Sequence, residues 1–171
     1  SPEQINAEYQ AGLSGHSTQI LVNEETNTFE DWLCEVTPND GYGDGITRNS
    51  TIVFIQNTNP TITTPILTPT SNHPSTNLIC NATAGDLENT SLVVEWWWYN
   101  LTGSGYVEYS HGNTSVNSSN NSVIATLGVA NLTIGTTWNC TVRAFDGSLY
   151  SEYNSSTKAI TNTVPTKVNL S

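Results

Sequence analysis

Residues 138–147 read Trp138-Asn139-Cys140-Thr141-Val142-Arg143-Ala144-Phe145-Asp146-Gly147. Apolar side chains alternate with polar ones, and this period of two is typical of a β-strand with one buried face. The pattern places Cys140 on the inward face and Asn139 on the outward face. Asp146-Gly147 follows the strand directly and predicts a hairpin turn, because glycine readily adopts the positive φ that such a turn requires.

A second alternating run, residues 78–83, has the same character. It places Cys80 inward and Asn81 outward. Apolar residues spaced every three or four positions, as in an amphipathic helix, are nearly absent from the chain. The sequence therefore predicts an all-β fold in which both cysteines lie on inward faces.

An internal repeat relates the two halves of the chain. Residues 32–61 begin with Trp32-Leu33-Cys34-Glu35-Val36, continue through Asp40-Gly41 and end just after a proline. Residues 138–166 repeat this order. The copies are offset by 105 or 106 positions, which is the length of one immunoglobulin-type sandwich.

The frame of the repeat divides the chain into three parts. Residues 1–58 match only the second half of a unit, and residues 59–164 form one complete immunoglobulin-like antiparallel β-sandwich. Residues 165–171 are a linker or a donated strand that opens the next unit. We therefore expect the sequence to begin and end inside domains, as a processed or excerpted segment would.

Charge and composition exclude several classes of function. The 15 Asp and Glu residues outnumber the 4 Lys and Arg, giving a net charge of −11. No basic patch is available for nucleic acid or an anionic membrane surface. Only 11% of residues are charged, and no apolar run approaches the roughly 18 residues that span a bilayer. We expect no nucleic acid partner and no membrane insertion.

Asn-x-Ser/Thr triplets occur about twice as often as chance would give, which favours N-glycosylation. Attached sugars would keep so weakly charged a chain in solution and would place it outside the cytoplasm. The alternative is that these are ordinary polar residues of strands and turns. We expect N-glycans and no other cofactor. The eleven candidate acceptors are Asn49, Asn81, Asn89, Asn100, Asn113, Asn117, Asn120, Asn131, Asn139, Asn154 and Asn169.

The order of cysteine strand, tryptophan strand and Trp-x-Cys-x-Val-x-Ala-x-Asp-Gly strand resembles the tandem immunoglobulin/PKD-like repeats of archaeal cell-surface glycoproteins. The resemblance covers residues 60–164 fully and residues 1–58 partly, and it implies a role in a filament, stalk or surface layer without catalytic residues. The residues that carry it are Cys80, Trp96, Trp97, Trp98, Trp138, Cys140, Val142, Ala144, Asp146 and Gly147.

The resemblance places Cys80 and Cys140 on the B and F strands, where a disulfide would join the two sheets. Cys34 occupies the position equivalent to Cys140 and has no partner left within the chain. Three explanations remain open: its partner lies in a longer precursor, another subunit supplies the partner, or Cys34 is free and buried. If another subunit supplies it, strand donation from head to tail would build a fibre, and residues 165–171 have the alternation of a donated strand.

The triple tryptophan is the most unusual motif. On a strand, Trp96 and Trp98 face one way and Trp97 faces the other. We therefore expect Trp96 and Trp98 in the core and Trp97 exposed beside Tyr99. An exposed aromatic pair could make a subunit contact, lie beneath the protein's own glycan, or bind foreign carbohydrate.

The sequence contains no pattern typical of a catalytic, cofactor-binding or metal site. His16, His73 and His111 share no metal-ligand spacing. Residues 39–45 predict a hairpin loop rather than a calcium site, because they lack the alternating acids and distal glutamate of an EF-hand. No nucleophile elbow or phosphate-binding loop is present, and we expect no enzymatic activity.

The predicted function is that of an extracellular, N-glycosylated structural protein of the cell surface. It would be a subunit or repeat module of a filament or stalk, joined to neighbouring copies or adjacent repeats by strand sharing or tandem linkage. One alternative is an adhesive or carbohydrate-binding module that uses exposed aromatics. A second alternative is an accessory domain of a secreted hydrolase.

Overall fold

The computed structural model describes residues 26–72 and 75–162, which fall into two compact units. The division lies between Asn57 and Thr58, one residue before the boundary expected from the repeat. The segments 1–25, 73–74 and 163–171 lie outside the described residues. Four features named in the sequence therefore lie outside the described residues: His16, His73, Asn169 and the strand pattern of residues 165–171.

Unit 1 is described over residues 26–57 and contains one hairpin built from two short antiparallel ladders. The outer ladder pairs β1 with β4, and the inner ladder pairs β2 with β3. An isolated bridge between Asn39 and Asp44 closes the turn. The strands are β1 (Asp31–Trp32), β2 (Glu35–Val36), β3 (Arg48–Asn49) and β4 (Val53–Phe54).

Unit 2 is described over residues 58–72 and 75–162 and forms two antiparallel sheets. One has the order β10-β7-β5, with β6 also pairing with β7, and the other has the order β12-β11-β8-β9. The strands are β5 (Thr61–Ile62), β6 (Ile66–Thr68), β7 (Leu78–Gly85), β8 (Ser91–Thr102), β9 (Gly105–Asn117), β10 (Asn121–Leu127), β11 (Thr137–Phe145) and β12 (Asn154–Ala159).

This arrangement confirms the predicted fold class, an all-β immunoglobulin-like antiparallel sandwich. A sheet of A, B and E strands faces a sheet of G, F, C and C′ strands, with β7 as B and β11 as F. Within the described residues no helix is long and apolar enough to cross a membrane.

The core of unit 2 lies between the two sheets and follows the alternation of its strands. Along β7 every second residue is buried, beginning at Leu78. Cys80 and Cys140 are fully buried and form a disulfide. Trp98 is the strand partner of Cys140 and is also fully buried, as the outward and inward alternation of the triple tryptophan predicts.

A glycine on β9 makes room for the first tryptophan of the motif. Gly112 is the strand partner of Trp96, and a Cβ at this position would lie 2.6 Å from the indole ring. Trp96 therefore packs over bare backbone and reaches the edge of the core. A side chain larger than hydrogen at position 112 would displace the indole.

Candidate functional site

Each hairpin copy has one Asp-Gly turn after its first strand, as the repeat predicts. Gly41 has φ +91° and Gly147 has φ +107°, in the region that favours glycine. In each turn the aspartate Oδ1 accepts backbone N–H groups two and three residues ahead. Carboxylate and glycine together fix the turn locally.

The carboxylate of Asp40 is stabilised in its charged form by this turn. Oδ1 accepts the amide hydrogens of Tyr42 at 2.9 Å and Gly43 at 3.1 Å. These backbone hydrogen bonds lower the pKa of Asp40 from its ordinary value of 3.8. Residues 39–45 thus form a hairpin loop with the carboxylate turned onto its own backbone, as expected from the sequence.

The strand pairing of the unit 1 hairpin recurs in unit 2. Residues of the first strand recur 106 positions later, and residues of the second strand 106 or 105 positions later. The corresponding pairs are Asp31–Phe54 and Thr137–Ala159, Trp32–Val53 and Trp138–Lys158, Glu35–Asn49 and Thr141–Ser155, Val36–Arg48 and Val142–Asn154, and Asn39–Asp44 and Phe145–Tyr150.

Hydrogen bonds beyond the ladders recur in the same way. Phe29 donates its amide to the carbonyl of Ile55 at 2.7 Å, and Gly135 donates its amide to the carbonyl of Ile160 at 2.8 Å. The sequence repeat is therefore a structural repeat, and it corresponds to the F–G hairpin of an immunoglobulin-like sandwich.

A one-residue insertion distinguishes the two copies and lies opposite Cys34. The offset changes from 106 to 105 after Asn49, so one extra residue stands between β3 and β4. There, the Cys34 amide donates to the Ser50 side-chain oxygen at 2.9 Å, and the Ser50 amide donates to the Cys34 carbonyl at 2.8 Å. This has the form of a β-bulge, which divides the ladder of unit 1 into two short pieces.

The two copies differ most in what covers their inward face. Cys140 and Val142 of β11 are fully buried. Cys34 is exposed, and Val36 retains 57% of its accessible surface. The face that forms half of a core in unit 2 is thus exposed in unit 1 at Cys34 and Val36.

Cys34 is a free thiol in this structure and lies on the exposed face. The explanation that Cys34 is free and buried is therefore wrong as to burial. Cys34 is exposed because residues 26–57 provide no second sheet to cover the face of the hairpin that carries it. The other two explanations, a longer precursor and another subunit, stay predictions.

The outer face of the β12-β11-β8-β9 sheet carries an arginine held among aromatic rings. Arg143 donates from Nε to Glu95 Oε2 at 2.7 Å. Its guanidinium carbon lies 3.9 Å from the ring centre of Tyr150, 4.9 Å from that of Tyr153 and 5.7 Å from that of Trp97. The hydrogen bond to Glu95 raises the pKa of Arg143 above its already high ordinary value, so the guanidinium stays charged among the rings.

Trp97 and Tyr99 are half-buried, which corrects the expectation of an exposed aromatic pair. Tyr153 packs its ring against Trp97 with centres 5.7 Å apart and planes at 62°, and Arg143 covers another part of the indole. Burial raises the pKa of Tyr99 from its ordinary value of 10.0. The Trp97 indole is thus partly covered by side chains of this same chain.

No motif in the sequence singles out Arg143, Glu95, Tyr150 or Tyr153 as members of a cluster. Glu95 and Arg143 are strand partners, and alternation places both on the outward face with Trp97. A charge pair beside an outward tryptophan was a usable signal for the cluster. The two tyrosines come from the loop before β12, and nothing local indicates where that loop folds.

The predicted glycan acceptors differ widely in accessibility. Asn169 lies outside the described residues, and one acceptor, Asn139, is buried. Five are half-buried: Asn81, Asn89, Asn100, Asn131 and Asn154. Four are exposed: Asn49, Asn113, Asn117 and Asn120.

Asn139 was expected on an outward face, and its side chain is instead 8% exposed. It does point away from the core, but β11 is a central strand, and the side chains of the neighbouring strands flank it. Its strand partners are Tyr99 and Thr157, and Thr141 donates to its Oδ1 at 2.7 Å. An outward position on a central strand is therefore not an accessible one.

Three half-buried acceptors use the glycan-bearing nitrogen within the fold. Nδ2 of Asn154 donates to the carbonyl of Ile62 at 2.7 Å, and Nδ2 of Asn89 donates to Asp86 at 3.1 Å. Nδ2 of Asn81 donates to Thr68 at 3.2 Å. The structure therefore ranks the acceptors, with the four exposed ones accessible to a modifying enzyme in the folded state.

In the part of the chain that the structure describes, no three His, Cys, Asp or Glu side chains converge as a metal site would require. No protein-family model matches the chain, and no curated protein matches it. Among solved structures it is similar to the crystal structure of rat CD45 extracellular region, domains d3-d4, with 11% identity and a TM-score of 0.40. That match covers 83% of this chain and 71% of that chain; at this level it assigns neither family nor function.

Proposed function

We propose that the chain is a load-bearing, N-glycosylated structural module of an extracellular filament or stalk, on the cell surface of an archaeon. Its partners are neighbouring copies or adjacent repeats, joined by strand sharing or tandem linkage. Its work is mechanical rather than catalytic. An internal disulfide supports the extracellular setting, because such bonds persist in oxidising compartments.

The observation that carries the proposal is that the chain enters and leaves unit 2 at opposite ends of the sandwich. At one end, Asn59 donates to the carbonyl of Tyr150, which is bridged to the last residue of β11. At the other end, the Ile160 amide donates to the carbonyl of Thr136, just before β11 begins. Tension along the chain would therefore act along the length of β11, about 30 Å.

The first and last segments of unit 2 are tied directly to each other. Side chains at alternate positions of β12 donate to backbone carbonyls of the segment that contains β5 and β6. Asn154 donates to Ile62, Ser156 to Pro65 and Lys158 to Thr70. Because the two tied segments lead to opposite ends, pulling the ends apart would load these bonds together.

The disulfide limits how far unit 2 can extend. Cys80 and Cys140 are 60 positions apart, and the residues between them stay closed even after the strands separate. At about 3.5 Å per residue, unfolding under tension would lengthen the oxidised unit by roughly 130 Å and the reduced unit by roughly 330 Å. A bridged unit would therefore lengthen less than half as far before its chain is taut.

Single-molecule force spectroscopy on the whole chain, held at its two ends, tests the proposal. We expect the shorter extension in oxidising buffer and the longer one after reduction. Asn154→Ala combined with Ser156→Ala should lower the unfolding force, because two ties are lost. Thr157→Ala on the same strand is the matched control, since Thr157 is exposed. An unfolding force equal in both variants would contradict load-bearing by the ties.

Glycan mapping of native material tests the remaining part of the proposal. We expect sugars at Asn113, Asn117 and Asn120 and at Asn49, which are exposed, and none at Asn139. Unmodified asparagine at all four exposed positions would contradict the glycoprotein proposal. The mechanical proposal would then be decided by the force measurement alone.

A further inference from the structure

The inward face of the unit 1 hairpin is exposed at Cys34 and Val36, and residues 26–57 supply no second sheet to cover it. We propose that this face binds the first half of an immunoglobulin-like unit from an adjacent repeat that lies outside these 171 residues, and that a cysteine of that half forms a disulfide with Cys34. The inference rests on the extracellular setting of the proposed function, because the bond needs an oxidising compartment.

Unit 2 shows what covers such a hairpin. The face of β11 that carries Cys140 is buried and is joined by the disulfide to β7, whose buried positions are Leu78, Cys80, Ala82 and Ala84. The partner of unit 1 would present the same chemistry: a strand of alternating apolar residues, small ones among them, with a cysteine in the series. Cys34 lies at the position of Cys140, so the partner's cysteine would lie at the position of Cys80.

The edge of the unit 1 hairpin gives a second and independent argument. In unit 2, β11 pairs with β12 on one side and with β8 on the other. Among residues 26–57, β1 pairs only with β4 and β2 only with β3. Within that described range both strands thus have no partner on their other edge, and an unpaired edge accepts a further strand. The partner must then supply both an edge strand like β8 and a facing strand like β7.

The cysteine inventory leaves a second copy of this sequence without a free cysteine on a strand like β7. The sequence has three cysteines, and Cys80 is bonded to Cys140. A second copy could therefore offer only its own Cys34, which lies on an F–G hairpin rather than on a strand like β7. Residues 1–25 contain no cysteine. A partner cysteine on a strand like β7 must therefore come from another stretch of polypeptide.

The bond would form by thiol–disulfide exchange with a dithiol oxidase of the secretory route. The Cys34 thiolate attacks the disulfide of the oxidase and displaces one of its sulfurs as a thiolate. The partner's thiolate then attacks the sulfur of Cys34 and releases the second sulfur of the oxidase. Two thiols have lost two protons and two electrons, and the oxidase disulfide has become a dithiol.

Non-reducing peptide mapping of the native protein, purified from its source cells, tests the inference. We expect Cys34 bonded to a peptide absent from this sequence, with apolar residues two positions before and two and four positions after its cysteine, as in β7. A free Cys34 thiol in the native protein, a Cys34–Cys34 bond, or a partner without that alternation would overturn the inference. Glycan occupancy and the unfolding force of unit 2 are separate measurements, so failure here leaves the proposed function standing.

A pair of variants separates docking from the mere presence of a thiol. Val36→Asp places a carboxylate on the proposed contact face, and we expect the Cys34 bond to fall at least tenfold in yield. Thr37→Asp on the adjacent outward position is the matched control and should keep the bond. Because Val36 is exposed in the isolated chain, the hairpin itself should survive the first change. Equal yields in both variants would contradict docking on this face.

Discussion

The chain contains the same hairpin twice, and the two copies share their backbone but not their burial. Strand partners, the Asp-Gly turn and the bonds beyond the ladder recur at a constant offset, apart from one insertion. In unit 2 the inward face is sealed against a second sheet, and in unit 1 it is open. Local sequence is thus sufficient to set the path of the hairpin, whereas its cover depends on distant residues.

The cysteines should give the largest difference between the copies. Cys140→Ser removes a disulfide that closes a 60-residue loop, and we expect it to cost unit 2 about 4 kcal/mol of unfolding free energy. Cys34→Ser in the isolated chain should change the free energy by less than about 0.5 kcal/mol, because Cys34 is exposed and unbonded. Urea denaturation followed by tryptophan fluorescence measures both.

The valines that follow these cysteines should show a smaller difference of the same sign. Val142→Ala leaves a cavity in a sealed core, and we expect a loss of about 2 kcal/mol. Val36→Ala should be close to neutral in the isolated chain. If both substitutions cost the same in urea denaturation, the inward face of unit 1 is covered and the comparison fails.

The turn glycines should behave alike, because the turn is where the copies agree. Alanine at Gly41 or Gly147 would have to adopt a left-handed backbone, at a cost of about 1 kcal/mol. Hydrogen exchange should therefore accelerate about fivefold at two amides, that of Gly45 for the first variant and that of Ser151 for the second. Gly43→Ala is the control, since that position has open space around it. Unequal acceleration in the two copies would contradict a shared turn.

The smallest expected effect is the acid titration of the unit 1 turn. The pKa of Asp40 is lowered in the folded hairpin, so its contribution is present above the unfolded pKa and is lost as pH falls through the folded pKa. NMR titration of the carboxyl carbon should give a midpoint below 3.8, with the Tyr42 and Gly43 amide shifts moving together. A midpoint at or above 3.8 would show that the carboxylate does not hold the turn.

Alternation in the sequence was enough to predict the strands, the inward cysteines and the burial of Trp98, because each depends on the period of two along one strand. It could not predict the burial of Asn139 or the half-burial of Trp97. Both point away from the core, and both are covered by residues from elsewhere: strands flanking β11 in the first case, and Tyr153 from the loop before β12 in the second. The cover of an outward face is a tertiary property.

Because Asn139 is buried, modification at this acceptor would report on the rate of glycosylation relative to the rate of folding. Its triplet has Cys140 at the centre, and in the finished sandwich both lie out of reach of a modifying enzyme. A sugar could be attached there only before β11 is enclosed, and its bulk would then hinder closure of the disulfide. The fraction of molecules modified at Asn139 would therefore measure how often the enzyme modifies the chain before β11 is enclosed.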